Sequence, residues 1–139
     1  MNIEDANFSE NSFWQIVELS FSDFQAAVLL LSQKSISFML EFEEFLAQKL
    51  YDLDQKVFAQ KLYENISADD FLYVRCFVLS QGKFFYEKVL SQEMPMLSQT
   101  FEPLLSLTEK AYFLKTNNEF PTFRTAFSYE TGSNKMCWQ

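Results

Sequence analysis

Arg75 is the side chain in this sequence most able to do chemistry. It stands inside the apolar run Phe71-Leu72-Tyr73-Val74-Arg75-Cys76-Phe77-Val78-Leu79. A guanidinium in such surroundings is costly unless it is paired. Two arrangements satisfy it. A carboxylate on a neighbouring helix, such as Glu18, Glu41 or Glu44, holds it, or it lines a pocket for an anionic ligand. Gln81 lies shortly beyond it, beside Gly82, and Trp14 offers an aromatic face near the start. Trp14, Arg75 and Gln81 therefore form a candidate pocket or a structural polar core. In the structural version Trp14 anchors the core and Gln81 bonds a loop backbone.

Paired carboxylates suit general acid–base work, and two pairs occur, Glu43-Glu44 and Asp69-Asp70. Adjacent residues on a helix point about 100° apart, so neither pair makes a natural catalytic dyad. Charge on a helix face and charge in a first helical turn explain them. The chain has no histidine. That removes histidine triads, imidazole acid–base chemistry and most transition-metal sites. No glycine-rich phosphate loop or dinucleotide fingerprint is present. Cys76 and Cys137 are far apart and suggest neither a disulfide framework nor a metal site. Cys76 reads as a small buried hydrophobe and Cys137 as an exposed residue near the end. The expectation is a chain with no catalytic residue, no metal and no cofactor.

Charge points to a different kind of chemistry. The formal net charge is −8. Residues 1–70 carry 13 acidic and 4 basic side chains, whereas residues 71–139 carry 6 and 7. The negative charge therefore belongs to the first half. Such a surface repels nucleic acid and anionic membranes. It attracts a basic protein and speeds the encounter. Glu41, Glu43, Glu44, Asp52 and Asp54 are the candidate partner-binding residues.

The elements that must position these groups are helices. Only two Gly and three Pro occur, too few for the many tight turns of a β-sandwich. Seventeen Phe supply large buried area at low rotamer cost. Ser12 can cap a first helix carrying Phe13, Trp14, Ile16 and Val17, and Ser22-Asp23 can start a second. From Ser35, the residues Phe38, Phe42, Phe45, Leu46, Lys49, Leu50 and Leu53 follow helical spacing, with acidic residues off the stripe. Asp54-Gln55 is a break or a continuation before Val57 and Phe58 restart the pattern. After the loop at 64–67, one long central helix is expected to about Ser91. Gly82 inside it costs about 1 kcal/mol against Ala and implies close packing or a bend. Met94-Pro95 ends it. Glu102-Pro103 opens a last helix with Leu104, Leu105, Leu107, Ala111, Tyr112 and Leu114. Residues 120–127 read as a short strand or an extended segment. Residues 1–11 and 130–139 read as flexible. The sequence thus predicts one all-α domain over 1–139, a bundle of about five helices with room for a short extended C-terminal segment. The longest uninterrupted apolar run, Ala26 to Leu31, is far short of a membrane span. No leader pattern opens the chain, so a cytoplasmic, reduced protein is expected.

Phe13-Trp14 and the stretch Asp69-Asp70-Phe71 through Tyr86-Glu87 resemble the bacterial family filed as domain of unknown function 4240. Asp70, Phe71, Arg75, Gln81, Gly82, Lys83, Tyr86 and Glu87 fit its pattern over roughly residues 12–92. Phe77 stands where the family often has Trp. Ser67-Ala68-Asp69 replaces the Gly-rich turn that usually precedes the acidic residue. The resemblance implies a small, mainly helical bacterial protein and no chemistry.

The function expected from these readings is non-enzymatic binding. Acidic charge, small size and aromatic anchors suit a bacterial immunity protein that neutralises a cognate basic toxin, for instance a nuclease, by direct contact. The alternatives are a small-ligand or regulatory module with a pocket at Arg75, and a homodimeric structural protein. The chain would be a monomer or a homodimer.

Overall fold

Short polar side chains set four of the helix starts. Ser9 accepts from the Ser12 N–H at 3.1 Å, Asp23 from Ala26 at 3.2 Å, Ser35 from Phe38 at 3.0 Å and Ser67 from Asp70 at 3.0 Å. Each satisfies an N–H that the first turn leaves unpaired. The computed structural model describes residues 7–139. Within them lie α1 (Glu10–Ser22), α2 (Phe24–Ser32), α3 (Ile36–Asp52), α4 (Lys56–Leu62), α5 (Ala68–Ser80), α6 (Lys83–Leu90) and α7 (Leu107–Thr116). Short 3₁₀ turns cover Glu102–Ser106 and Lys135–Cys137. No strand occurs among the described residues.

The described residues are all-helical and form one compact body, with seven α-helices among them rather than about five. Two local features account for the difference. Asp54-Gln55 breaks α3 from α4. Gly82 adopts φ +103°, which side-chain-bearing residues rarely reach, and so divides the expected long helix into α5 and α6.

The start of α1 also differs from the sequence reading. The cap is Ser9, not Ser12, and Ser12 completes a reciprocal capping box by accepting from the Ser9 N–H at 2.9 Å. Phe8 packs edge-on against Phe38, ring centroids 5.3 Å apart, so the expected loose arm is already docked there. The rest of that arm, residues 1–6, lies outside the described residues.

Helix α5 is central, as its apolar circumference requires. Phe71, Leu72, Val74, Arg75, Cys76, Phe77, Val78, Leu79 and Ser80 are all buried. It packs on α1, α3, α6 and the first 3₁₀ turn. Helices α1, α2 and α7 form a second layer beside it. Burial pushes the Cys76 thiol up to about 12, which suits an inert core residue. Residues 120–127 run as an irregular segment with no strand pairing.

Candidate partner-binding surface

The five acidic residues expected to face a partner do not share one open face. Glu41 is exposed and Asp52 is half-buried, its carboxyl raised by that burial. Glu44 is turned to the chain itself, with both carboxylate oxygens accepting from the Ala126 N–H at 3.0 and 3.1 Å. Glu43 is half-buried where α3 meets α7. Burial pushes its carboxyl up to about 6, and the Glu109 charge adds to this. Its Oε1 and the Thr108 hydroxyl oxygen are both buried without a hydrogen bond.

Asp54 is fully buried, contrary to the sequence reading. It sits between α3 and α4 and binds the C-terminal segment. Oδ1 accepts from the Gly132 N–H at 3.0 Å and from the Trp138 indole at 2.8 Å, and Oδ2 accepts from the Asn134 N–H at 3.0 Å. Residues expected to be loose at 130–139 are thereby tied to the body.

Arg75 is fully buried and, among the described residues, has no carboxylate within ion-pair distance. Glu18, Glu41 and Glu44 are not its partners. Nη1 donates to the Leu50 carbonyl at 2.9 Å and Nη2 to the Thr131 hydroxyl at 2.9 Å. Its guanidinium lies 4.8 Å from the Phe71 ring centre. Burial lowers its pKa from the ordinary value, and the nearby Asp54 charge opposes that shift.

The physical reason lies at the end of α3. A helix leaves its last four carbonyls without intrahelical donors. Here each of them receives a side chain: Tyr86 Oη to Lys49 at 3.4 Å, Arg75 to Leu50, Asn134 Nδ2 to Tyr51 at 3.1 Å, and Gln55 Nε2 to Asp52 at 2.9 Å. Arg75 also brings positive charge to the negative end of the helix dipole.

Trp14 and Gln81 do not join Arg75. Trp14 is buried against Phe13 and Tyr86, with ring centroids 5.1 and 5.4 Å away. Gln81 is exposed at the end of α5, where its amide nitrogen reaches the neighbouring Ser80 hydroxyl at 3.1 Å. Other motif residues also make contacts within the chain. A Cβ on Gly82 would stand 2.8 Å from the Glu18 carboxylate. Lys83 bridges to Glu10 on α1 at 3.2 Å, and Asp70 accepts from the Tyr63 hydroxyl at 3.0 Å.

The open surface lies elsewhere, along α2, α7 and the first 3₁₀ turn. Two adjoining clefts of about 620 and 640 Å³ share Gln25, Glu109 and Lys110. One is walled by Val28, Phe113, Leu114 and Phe120, the other by Phe21, Phe24, Phe101 and Leu105. Neither contains Trp14, Arg75 or Gln81. Phe21 is 46% exposed, Phe113 53% and Leu114 56%, so these are apolar surfaces held open to water. Glu102, Glu109 and Glu119 border the groove against one cation, Lys110. Concave apolar surface rimmed by charge is how interaction sites are commonly built. The sequence carried a partial signal. Phe113 falls off the buried stripe Leu107, Thr108 and Ala111. Leu114 was expected on that stripe, but only the first half of α7 is buried.

No group of three or more His, Cys, Asp or Glu stands ready for a metal among the described residues. No helix among them is long and apolar enough to cross a membrane.

The fold and its surface describe an all-helical module with an apolar, acid-rimmed groove. Comparison with protein families matches residues 8–114 to the family described as protein of unknown function (DUF4240), and the chain belongs to that family. No curated protein and no solved structure matches it.

Proposed function

We propose that this chain is a non-enzymatic binding protein that receives a basic protein partner in the α2–α7 groove. The biological role that best fits is a bacterial immunity protein neutralising a cognate toxin. The observation that carries the reading is the exposed Phe113-Leu114 pair set beside Glu109 and Glu119. Aromatic anchors give an interface its affinity once they are desolvated, and surrounding charge steers the encounter. Three carboxylates against one lysine select a basic partner, in keeping with the chain's charge of −8. Glu41 and Asp52 on α3 are a secondary source of steering charge. The pocket alternative at Arg75 loses support, because that guanidinium is occupied by Leu50 and Thr131.

The test is capture from bacterial cells at low and moderate salt, with wild type, Phe113→Glu and Glu109→Lys/Glu119→Lys as baits. The expected result is one basic protein held stoichiometrically by wild type, weakened by salt, lost with the first variant and weakened with the second. Capture unaffected by either variant sinks the reading. So does an empty capture combined with concentration-dependent dimerisation in light scattering, which assigns the groove to self-association.

A further inference from the structure

We propose that the α3–α4 loop around Asp54, together with the buried guanidinium of Arg75, is a peptide-binding site that residues 131–138 fill in cis, and that it takes the same segment of a second copy when its own is released. The segment is held as a bound peptide is held. One carboxylate reads two backbone N–H groups, those of Gly132 and Asn134, and the indole N–H of Trp138. Arg75 reads the Thr131 hydroxyl, which itself donates to the Ala68 carbonyl at 2.7 Å. The Trp138 ring lies edge-on to Phe71, centroids 6.1 Å apart. Gly132 at φ +88° supplies the turn between the Thr131 and Asn134 contacts.

Three further observations favour an occupant that can leave. Between Asn117 and Asn134 there is no helix or strand, so release breaks no ladder of regular structure. Asp54 and Arg75 lie inside the family match at 8–114, whereas the bound segment lies outside it. The Arg75 Nε is buried with no hydrogen-bond partner, so the segment does not saturate its receptor. The connecting stretch from Asn117 to Thr131 reaches up to about 45 Å when extended, far enough to cross to a second molecule.

The experiment uses the full chain carrying Asn134→Ala/Trp138→Ala and a fluorescein-labelled synthetic peptide of residues 124–139. The peptide should bind this variant saturably, at least tenfold more tightly than it binds wild type, whose site is filled. Adding Asp54→Asn to the variant should abolish binding. Absence of binding by a variant with native helical circular dichroism overturns the proposal. Should the variant not fold, amide hydrogen exchange of the wild type decides. Gly132 and Asn134 should exchange at least a hundredfold faster than core amides of α3 and α5, because the segment opens by itself. Equal protection, meaning release only on global unfolding, overturns it.

Discussion

The Arg75 guanidinium donates to the Leu50 carbonyl at 2.9 Å, a pairing between α5 and the end of α3 across 25 positions of sequence. A buried arginine is thus held by a helix terminus rather than by a carboxylate. The arrangement answers two problems at once. The guanidinium gains acceptors in a dry interior, and α3 gains a donor for a carbonyl its own backbone leaves open.

Arg75→Ala should therefore be among the most damaging substitutions in the chain. It leaves the Leu50 carbonyl without its donor and opens a large cavity beside Phe71. A loss of about 2–4 kcal/mol is expected in urea unfolding. Arg75→Lys should recover only part of it, because a single ammonium lacks the guanidinium fork that reaches both Leu50 and Thr131. An Arg75→Ala midpoint equal to wild type would refute the capping role.

Glu43 makes stability depend on pH in a direction opposite to the common acidic case. Its folded pKa is raised to about 6 from an ordinary 4.5. The fold therefore prefers the protonated form. The group's favourable contribution is complete below about pH 4.5 and is lost as pH rises through 6. Above that, the buried charge costs about 2 kcal/mol. Glu43→Gln should melt higher than wild type at pH 8, and the difference should vanish near pH 4. A gap of the same size at both pH values would place the effect in packing rather than in ionisation.

Gly82→Ala meets two obstacles that can be separated. A Cβ there would stand 2.8 Å from Glu18 Oε1, and the backbone at φ +103° and ψ 169° is essentially reserved for glycine. Glu18 is exposed and flexible, so the clash is the smaller obstacle. The substitution should cost about 1–3 kcal/mol, and adding Glu18→Ala should restore little of it. Full recovery in the double variant, read by thermal melting, would show that the steric contact dominated.

These relationships mark where sequence reading stops. The apolar circumference of α5 and the helix starts at Ser22-Asp23 and Ser35 are legible, because each is a local pattern of side chains. The partner of Arg75 is not, because a main-chain carbonyl 25 positions upstream leaves no mark in residue types. From sequence Asp54 reads as partner-facing surface charge for the same reason. Its partners are two backbone N–H groups and an indole 78 to 84 positions away. A glycine inside a helical pattern implies close packing or a bend, yet only the backbone angle of Gly82 shows that it divides the central helix. The groove escaped because helical periodicity assigns residues to a face without saying where the neighbouring helix ends. Leu114 has the spacing of a core residue and still faces water.

That exposure permits a clean separation of folding from recognition. Phe113 and Leu114 are more than half exposed, so Phe113→Ala/Leu114→Ala should change unfolding free energy by no more than about 0.5 kcal/mol per site. Phe13→Ala, by contrast, empties a fully buried position and should cost about 3–5 kcal/mol. If the groove is the interface, the same surface pair should carry the energy that stability does not register. Loss of two anchors at the centre of an interface weakens binding by at least about 2 kcal/mol, roughly thirtyfold. The measurement is a chemical unfolding curve beside a titration with the captured partner. A double variant with unchanged stability and unchanged affinity would remove the groove from the binding mechanism. One with unchanged stability and a thirtyfold weaker complex would fix the interface on the second half of α7, where the fold leaves two large apolar side chains uncovered.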